Sequence, residues 1–262
     1  MPDLKKKKRG ERILFATLMI VTQLCSMEIE NAGQAANEAG RQRMLTQRIL
    51  KDYAMVGMGN TFDNPKKDLN RMVATFEDHL ESLRRFAKDP ETQKSLEAQR
   101  TLWEPIKKML QEPPTKERAM ALQNRLDTLL EAADRTARLF AKQTGKKSGE
   151  LINLSGRQRM LSQRMAALYM LKVWGVDDPK FNEKLTRSMT LFEDSLDRLM
   201  QSDLNTPQIK TILSRVKKNF MFFKIMNRSR SKFIPSLIYK KSNDILKDMN
   251  TVTGLYASLE KA

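Results

Sequence analysis

A chain of 262 residues with only 10 glycines and 9 prolines is long enough to bury a core, and it is built mostly from residues that lose little on entering a helix. Its formal charge of +17 points toward nucleic acid or an anionic membrane, yet beyond the first segment the lysines and arginines alternate with acids as on an ordinary helical surface. One cysteine, Cys25, excludes a disulfide framework, and one histidine, His79, excludes a histidine-based metal site, so no metal or other cofactor is expected.

In chain order, the first segment carries Lys5, Lys6, Lys7, Lys8, Arg9 and Arg12 against Asp3 and Glu11, and residues 13–27 then run without a charge. A basic stretch leading into an apolar one is the layout of a secretory signal. With a small extension it also serves as an uncleaved anchor, because a spanning helix needs about 20 apolar residues. The plainer reading is a buried first helix with a basic tail. Export to the periplasm is the expectation, with residues 1–27 set apart from the folded chain and membrane contact only through that segment. Leu24 precedes Cys25 where lipidation needs a small residue.

Residues 37–48 read NEAGRQRMLTQR, and an offset of 116 lays them over residues 153–164, NLSGRQRMLSQR, with nine of twelve positions identical. The same offset pairs Tyr53 with Tyr169, Gly59 with Gly175, Phe76 with Phe192, Leu83 with Leu199 and Leu139 with Leu255. The chain therefore reads as two copies, residues 28–146 and 147–262. Helix breakers cluster at residues 59–65, 88–90 and 111–114 in the first copy and at 175–179, 202–207 and 228–235 in the second. Between them apolar residues recur three and four apart, as in Leu69, Met72, Val73, Phe76, Leu80 and Leu83. This predicts an all-α protein of two tandem up-and-down four-helix bundles in series. Residues 144–149, with two glycines and two lysines, form either a short linker or a continuous helix that stacks the bundles end to end.

Within the motif, Arg41 and Arg48 fall within about 20 degrees of one another on a helix, while Arg43 projects from another face beside Gln47. Arg157, Arg164, Arg159 and Gln163 repeat the arrangement. Guanidinium groups on a largely apolar helix must find acceptors, because an unpaired buried charge costs several kcal/mol. The acceptors are either carboxylates of the same bundle, with Glu77, Asp78, Glu193 and Asp194 of the repeated Phe-Glu-Asp segment as candidates, or a small anion held by a planar five-donor fork. Gly40 and Gly156 each cost roughly 1 kcal/mol inside a helix, which calls for a local reason such as close approach of a backbone or a ligand, or a kink.

These residues resemble the signature helix of PilJ-type domains, the N-terminal sensor region of type IV pilus methyl-accepting chemotaxis transducers. That family is similar to the periplasmic sensor domains of the nitrate and nitrite sensor kinases NarX and NarQ. The resemblance covers roughly residues 31–145 and 148–262. It implies that Arg43 and Arg159 bind a nitrate- or nitrite-like oxyanion between two paired helices, with Arg41, Arg157, Asn37, Asn153, Gly40, Gly156, Gln47 and Gln163 around them. Arg41 and Arg157 stand where the nitrate sensors carry a small residue. The pairing is either between the two motif helices of one chain or between twins in a homodimer. No second apolar run follows before Ala262, so a sensor of this kind is expected to pass its state to a signalling partner protein.

Other features carry less. His79 is expected at the surface, and the 17 methionines are spaced as core filling rather than as a metal-handling cluster. Trp103 and Trp174 are expected at bundle ends or interfaces. The stretch 217–241 holds Lys217, Lys218, Lys224, Arg228, Arg230, Lys232, Lys240 and Lys241 with no acid, and is the best place for an anionic surface to dock, although export separates the protein from nucleic acid. No Gly-rich phosphate loop, nucleophile-base pair or metal-ligand spacing appears, so no enzymatic activity is expected. The sequence thus supports an oxyanion-binding sensory module, or alternatively a structural helical protein that binds a partner in a chemosensory or pilus-related system.

Overall fold

The computed structural model describes residues 28–228 and 234–259. The segment read as a leader, with Cys25, lies outside the described residues, as do Arg230 and Lys232. Eight helices are present among the described residues: α1 (Ala32–Gly57), α2 (Pro65–Phe86), α3 (Pro90–Leu110), α4 (Lys116–Gln143), α5 (Lys147–Trp174), α6 (Phe181–Met200), α7 (Pro207–Arg228) and α8 (Pro235–Ser258). No described helix is long and apolar enough to cross a membrane.

The helix starts follow from local chemistry. Asn31, Asn64, Asp89 and Thr115 each accept a hydrogen bond from the backbone N–H three residues on, satisfying a donor that the first turn leaves unpaired. Pro65, Pro90 and Pro235 sit in first turns, where a missing N–H costs nothing. Gly175 ends α5 in the left-handed conformation at φ 78°, and Gly145, at φ 66°, breaks the chain between α4 and α5. Residues 144–149 are therefore not one continuous helix, and the copies do not stack end to end.

Within each copy successive helices run antiparallel. Gln42 reaches the carbonyl of Phe76, Ser95 meets Thr136 and Arg43 meets Asp134, which ties α1 to α2, α3 to α4 and α4 back to α1. Gln158 to Phe192, Arg215 to Asp248 and Gln163 to Ser242 repeat those ties in the second copy. The copies then pack laterally. Arg43 bonds to Asn153 and Lys51 to Gln163, and Gly57 lies against Trp174, so α1 and α5 run side by side in the same direction. A pseudo-twofold axis along the helices exchanges the copies.

One continuous apolar core results. Phe76 stacks on Trp103 with ring centroids 4.2 Å apart, and Phe192 on Phe220 at 4.5 Å. The second tryptophan, Trp174, edges Tyr53 at the end of the α1–α5 seam. As axial helices with neighbours all round, α1 and α5 bury polar as well as apolar residues, while α2, α3, α6 and α7 lie outside with exposed polar faces.

Candidate functional site

The motif helices meet at their glycines. A Cβ on Gly40 would lie 3.7 Å from the Cα of Gly156 and 2.8 Å from Arg159 Nη2, and a Cβ on Gly156 would lie 2.8 Å from Arg43 Nη2. Glycine at both positions lets the backbones close up and leaves each guanidinium lying against the partner helix. The two motif helices thus face each other within one chain.

Both arginines are wholly buried. Arg43 donates through Nη1 to Asn153 Oδ1 at 2.8 Å and through Nη2 to the Asn153 carbonyl at 3.0 Å. Arg159 does the same to Asn37, at 2.9 and 3.0 Å. Each arginine therefore reaches back along the seam and clamps the asparagine that opens the other copy's motif.

The third acceptor differs. Arg43 Nη1 meets the Asp134 carboxylate on α4 at 2.7 Å, whereas Arg159 Nη1 meets the Asn250 amide oxygen on α8 at 3.3 Å. Residues 134 and 250 are 116 apart, so they occupy the same place in the two copies. The Nε of each arginine has no hydrogen-bond partner.

The electrostatics follow that difference. Burial lowers the Arg43 pKa, with Asp134 opposing. Burial also lowers Arg159, to about 9, reinforced by the like charges of Arg41 and Arg43 and opposed by Glu38. It is still a cation at neutral pH. Burial would raise Asp134, but Arg43, Arg157 and Arg138 outweigh it and hold the carboxyl below its usual range. Glu38, buried on α1 with Arg41 Nε 3.5 Å away, is raised by burial against the pull of Arg41 and Arg159. Arg157 lies 3.6 Å from Asp134.

The other expected residues are placed as follows by their hydrogen bonds. Gln47 accepts from Arg164 at 3.3 Å, and Gln163 accepts from Lys51 at 2.7 Å, so both bind across the seam beyond the arginine pair. The acids of the Phe-Glu-Asp segments do not reach the motif arginines. Glu77 bonds Trp103 and Lys107, Glu193 bonds Lys224, and Asp78 and Asp194 are exposed. The carboxylates near motif arginines are instead Asp134 for Arg43 and Arg157, Glu38 for Arg41, Asp68 and Asp52 for Arg48, and Asp127 for Arg164.

His79, expected at the surface, is buried with Nδ1 3.4 Å from Glu38. Burial, then Arg41 and Arg159, depress its pKa to about 4, so it is neutral and no ion pair forms at neutral pH. In the basic stretch, Lys217, Lys224 and Lys240 pair with Asp197, Glu193 and Asp244, which leaves less free charge than the composition implied.

A second polar cluster was not anticipated. Lys51 is wholly buried, donates to Gln163 and Asn243 at 2.7 Å each, and sits 4.0 Å above the Tyr239 ring. Beside it Asp52, also wholly buried, faces Asp68 and Tyr239, but neither of its oxygens meets a partner in bonding geometry. Burial pushes the Asp52 carboxyl up to about 7 and the Lys51 ammonium down to about 7. The equivalents in the second copy are Ala167 and Leu168, a difference visible in the repeat comparison itself.

The family described as type IV pili methyl-accepting chemotaxis transducer N-term (PilJ) matches residues 25–135 and 141–219, hence both copies of the motif. No curated protein and no solved structure matches the chain.

Proposed function

Since the chain belongs to the PilJ family of chemotaxis transducer N-terminal domains, we propose that it is a non-enzymatic sensory module on the periplasmic side that binds a small nitrate- or nitrite-like oxyanion in the α1–α5 seam. The observation that carries this reading is the charge imbalance there. Two wholly buried guanidinium groups lie against the same two glycines, and among the described residues Asp134 is the one carboxylate hydrogen-bonded to either. A buried cation without a counter-ion is costly, and an anion with planar oxygens matches a guanidinium fork. NarX- and NarQ-like recognition is part of the proposal, as is passage of the bound state to a signalling partner.

Thermal melts of the purified chain in nitrate, nitrite, sulfate and chloride at equal ionic strength test it. An anion at 100 times its dissociation constant adds about 2.7 kcal/mol. A midpoint raised by nitrate or nitrite beyond chloride supports the reading, and identical midpoints in all four salts refute it. The scaffold alternative, with the arginines as ties between copies, is favoured by the asparagine clamps, which already occupy Nη1 and Nη2 of both side chains. That alternative predicts identical midpoints.

A further inference from the structure

Between α4 and α6, over the middle of α5, lies a cavity of about 510 Å³. That is within the roughly 300–1,000 Å³ of small-molecule sites. Its walls are sorted by charge. The α4 wall presents Asp127, Glu131 and Asp134, and the α6 wall presents Lys180 at the helix start, Lys184 and Arg187, with Glu183 the one acid among them. Met160 and Leu161 of α5 lie between the walls, and Leu191 at the rim is 40 % exposed although apolar. Part of the charge is already satisfied. Asp127 holds Arg164, Asp134 holds Arg43 with Arg157 nearby, and Lys184 is paired with Asp178. The side chains of Glu131, Lys180, Glu183 and Arg187 are exposed and meet no ion pair or hydrogen-bond partner among the described residues. The fold does not require this sorting. An offset of 116 puts Asn243, Lys247 and Asn250 on α8 in place of the three acids, and Asn64, Asp68 and Arg71 in place of the three bases. The acidic wall therefore exists once in a molecule whose helices are otherwise duplicated.

We propose that this groove binds a small zwitterion with an apolar body, of the amino-acid or dipeptide kind: Glu131 accepts from its ammonium, Arg187 and Lys180 donate to its carboxylate, and its apolar part lies on Met160, Leu161 and Leu191. The class follows from the walls. A simple anion entering the groove faces the acids of α4, and a simple cation faces the bases of α6, so each gains on one side and loses on the other. A molecule with both charges gains on both. The charge-assisted hydrogen bonds it forms are the strong kind, and the guanidinium fork of Arg187 suits a carboxylate. The long exposed side chains of Glu131 and Arg187 reach in from either wall, so the charges of the guest need not span the groove. This site is independent of the oxyanion reading, since Arg159 takes no part in it and Arg43 meets it only through Asp134.

Calorimetric titration of the full chain with L-leucine and the dipeptide Leu-Leu, against N-acetyl-L-leucine and L-leucinamide, tests this in three proteins: wild type, Glu131→Gln, and the double variant Lys180→Gln with Arg187→Gln. The replaced side chains are exposed and unpaired, so both variants are expected to fold and to melt with the wild type. In the wild type at least one of the two zwitterions binds at one site, and the tighter of them gives the size of the natural guest. Blocking the ammonium or the carboxylate of leucine is expected to weaken binding by about 10-fold or more, as is removing either charge from the protein. The losses should be matched: Glu131→Gln no longer separates leucine from N-acetyl-leucine, and the double variant no longer separates leucine from leucinamide. Binding of the blocked forms as tight as that of leucine, or wild-type affinity in both variants, overturns the inference. So does the absence of heat from both zwitterions, an outcome that leaves anion binding in the seam untouched.

Discussion

Gly40 lies against Gly156 so closely that a Cβ on it would come 3.7 Å from the other Cα and 2.8 Å from the Arg159 guanidinium. This contact links the repeat, the seam and the buried charge, because it sets each guanidinium against the partner helix where the motif has no side chain. Gly40→Ala and Gly156→Ala are each expected to cost about 1–3 kcal/mol in urea unfolding, through displaced guanidinium groups. Gly254→Ala, also within a helix but facing open space, should instead gain about 0.5–1 kcal/mol. Equal effects at the three glycines would show that propensity, and not the crossing, governs them.

Lys51 and Asp52 are buried titratable groups in a place where the second copy has Ala167 and Leu168. The fold does not need their charges. The double variant Lys51→Ala with Asp52→Leu is expected to be more stable than the wild type by about 1–4 kcal/mol at pH 7, as when buried ionisable groups give way to apolar packing. Lys51→Ala alone should destabilise, by about 3–5 kcal/mol, since Asp52 is then left buried without its neighbour's charge. Chemical denaturation of the three proteins checks both signs.

The same pair has a defined pH signature. The Asp52 carboxyl titrates near 7 in the folded chain against 3.8 unfolded, so its contribution to stability is lost as pH rises from about 3.8 to about 7. The Lys51 ammonium titrates near 7 against 10.5 unfolded, so its penalty is relieved as pH rises from about 7 to about 10.5. Relative to the double variant, the wild type should therefore be weakest near neutrality and recover on either side. A difference that does not change with pH would show that neither group shifts.

His79 provides a third check. Its pKa near 4, against 6.5 unfolded, means that the unfolded chain takes up the proton first as pH falls. Stability should drop between about pH 6.5 and about pH 4, by roughly 3 kcal/mol at 1.36 kcal/mol per pKa unit. His79→Ser, which installs the residue of the matching position Ser195, is expected to flatten that slope in denaturation curves taken across the interval. An unchanged slope would mean that the histidine is solvated.

What the sequence revealed and what it hid divide along physical lines. The helix starts at Pro65, Pro90 and Pro235 and the stop at Gly175 were legible because a missing N–H or a left-handed residue acts locally. The motif arginines were legible as groups needing acceptors, since charge on an apolar helix face is itself the signal. Their partners were not. Asp134 lies 91 residues from Arg43, and which acid meets it depends on α4, not α2, covering that face of α1. The acids Glu77 and Glu193 have suitable periodicity, but α3 and α7 claim them first. Burial of His79, Lys51 and Asp52 depends on α1 having neighbours on all sides, a property of the lateral assembly that no single helix pattern carries.

The account stands most directly on whether Arg159 is a receptor for an anion or a finished structural tie, and its Nε–H, which has no acceptor, reports which. Side-chain ¹H–¹⁵N spectra of the arginines during a nitrate titration, with chloride as the reference, read that group directly. The account predicts a saturable downfield shift of the Arg159 Nε–H as it gains an acceptor. An Arg159 signal that stays still in nitrate, or that moves equally in chloride, contradicts it.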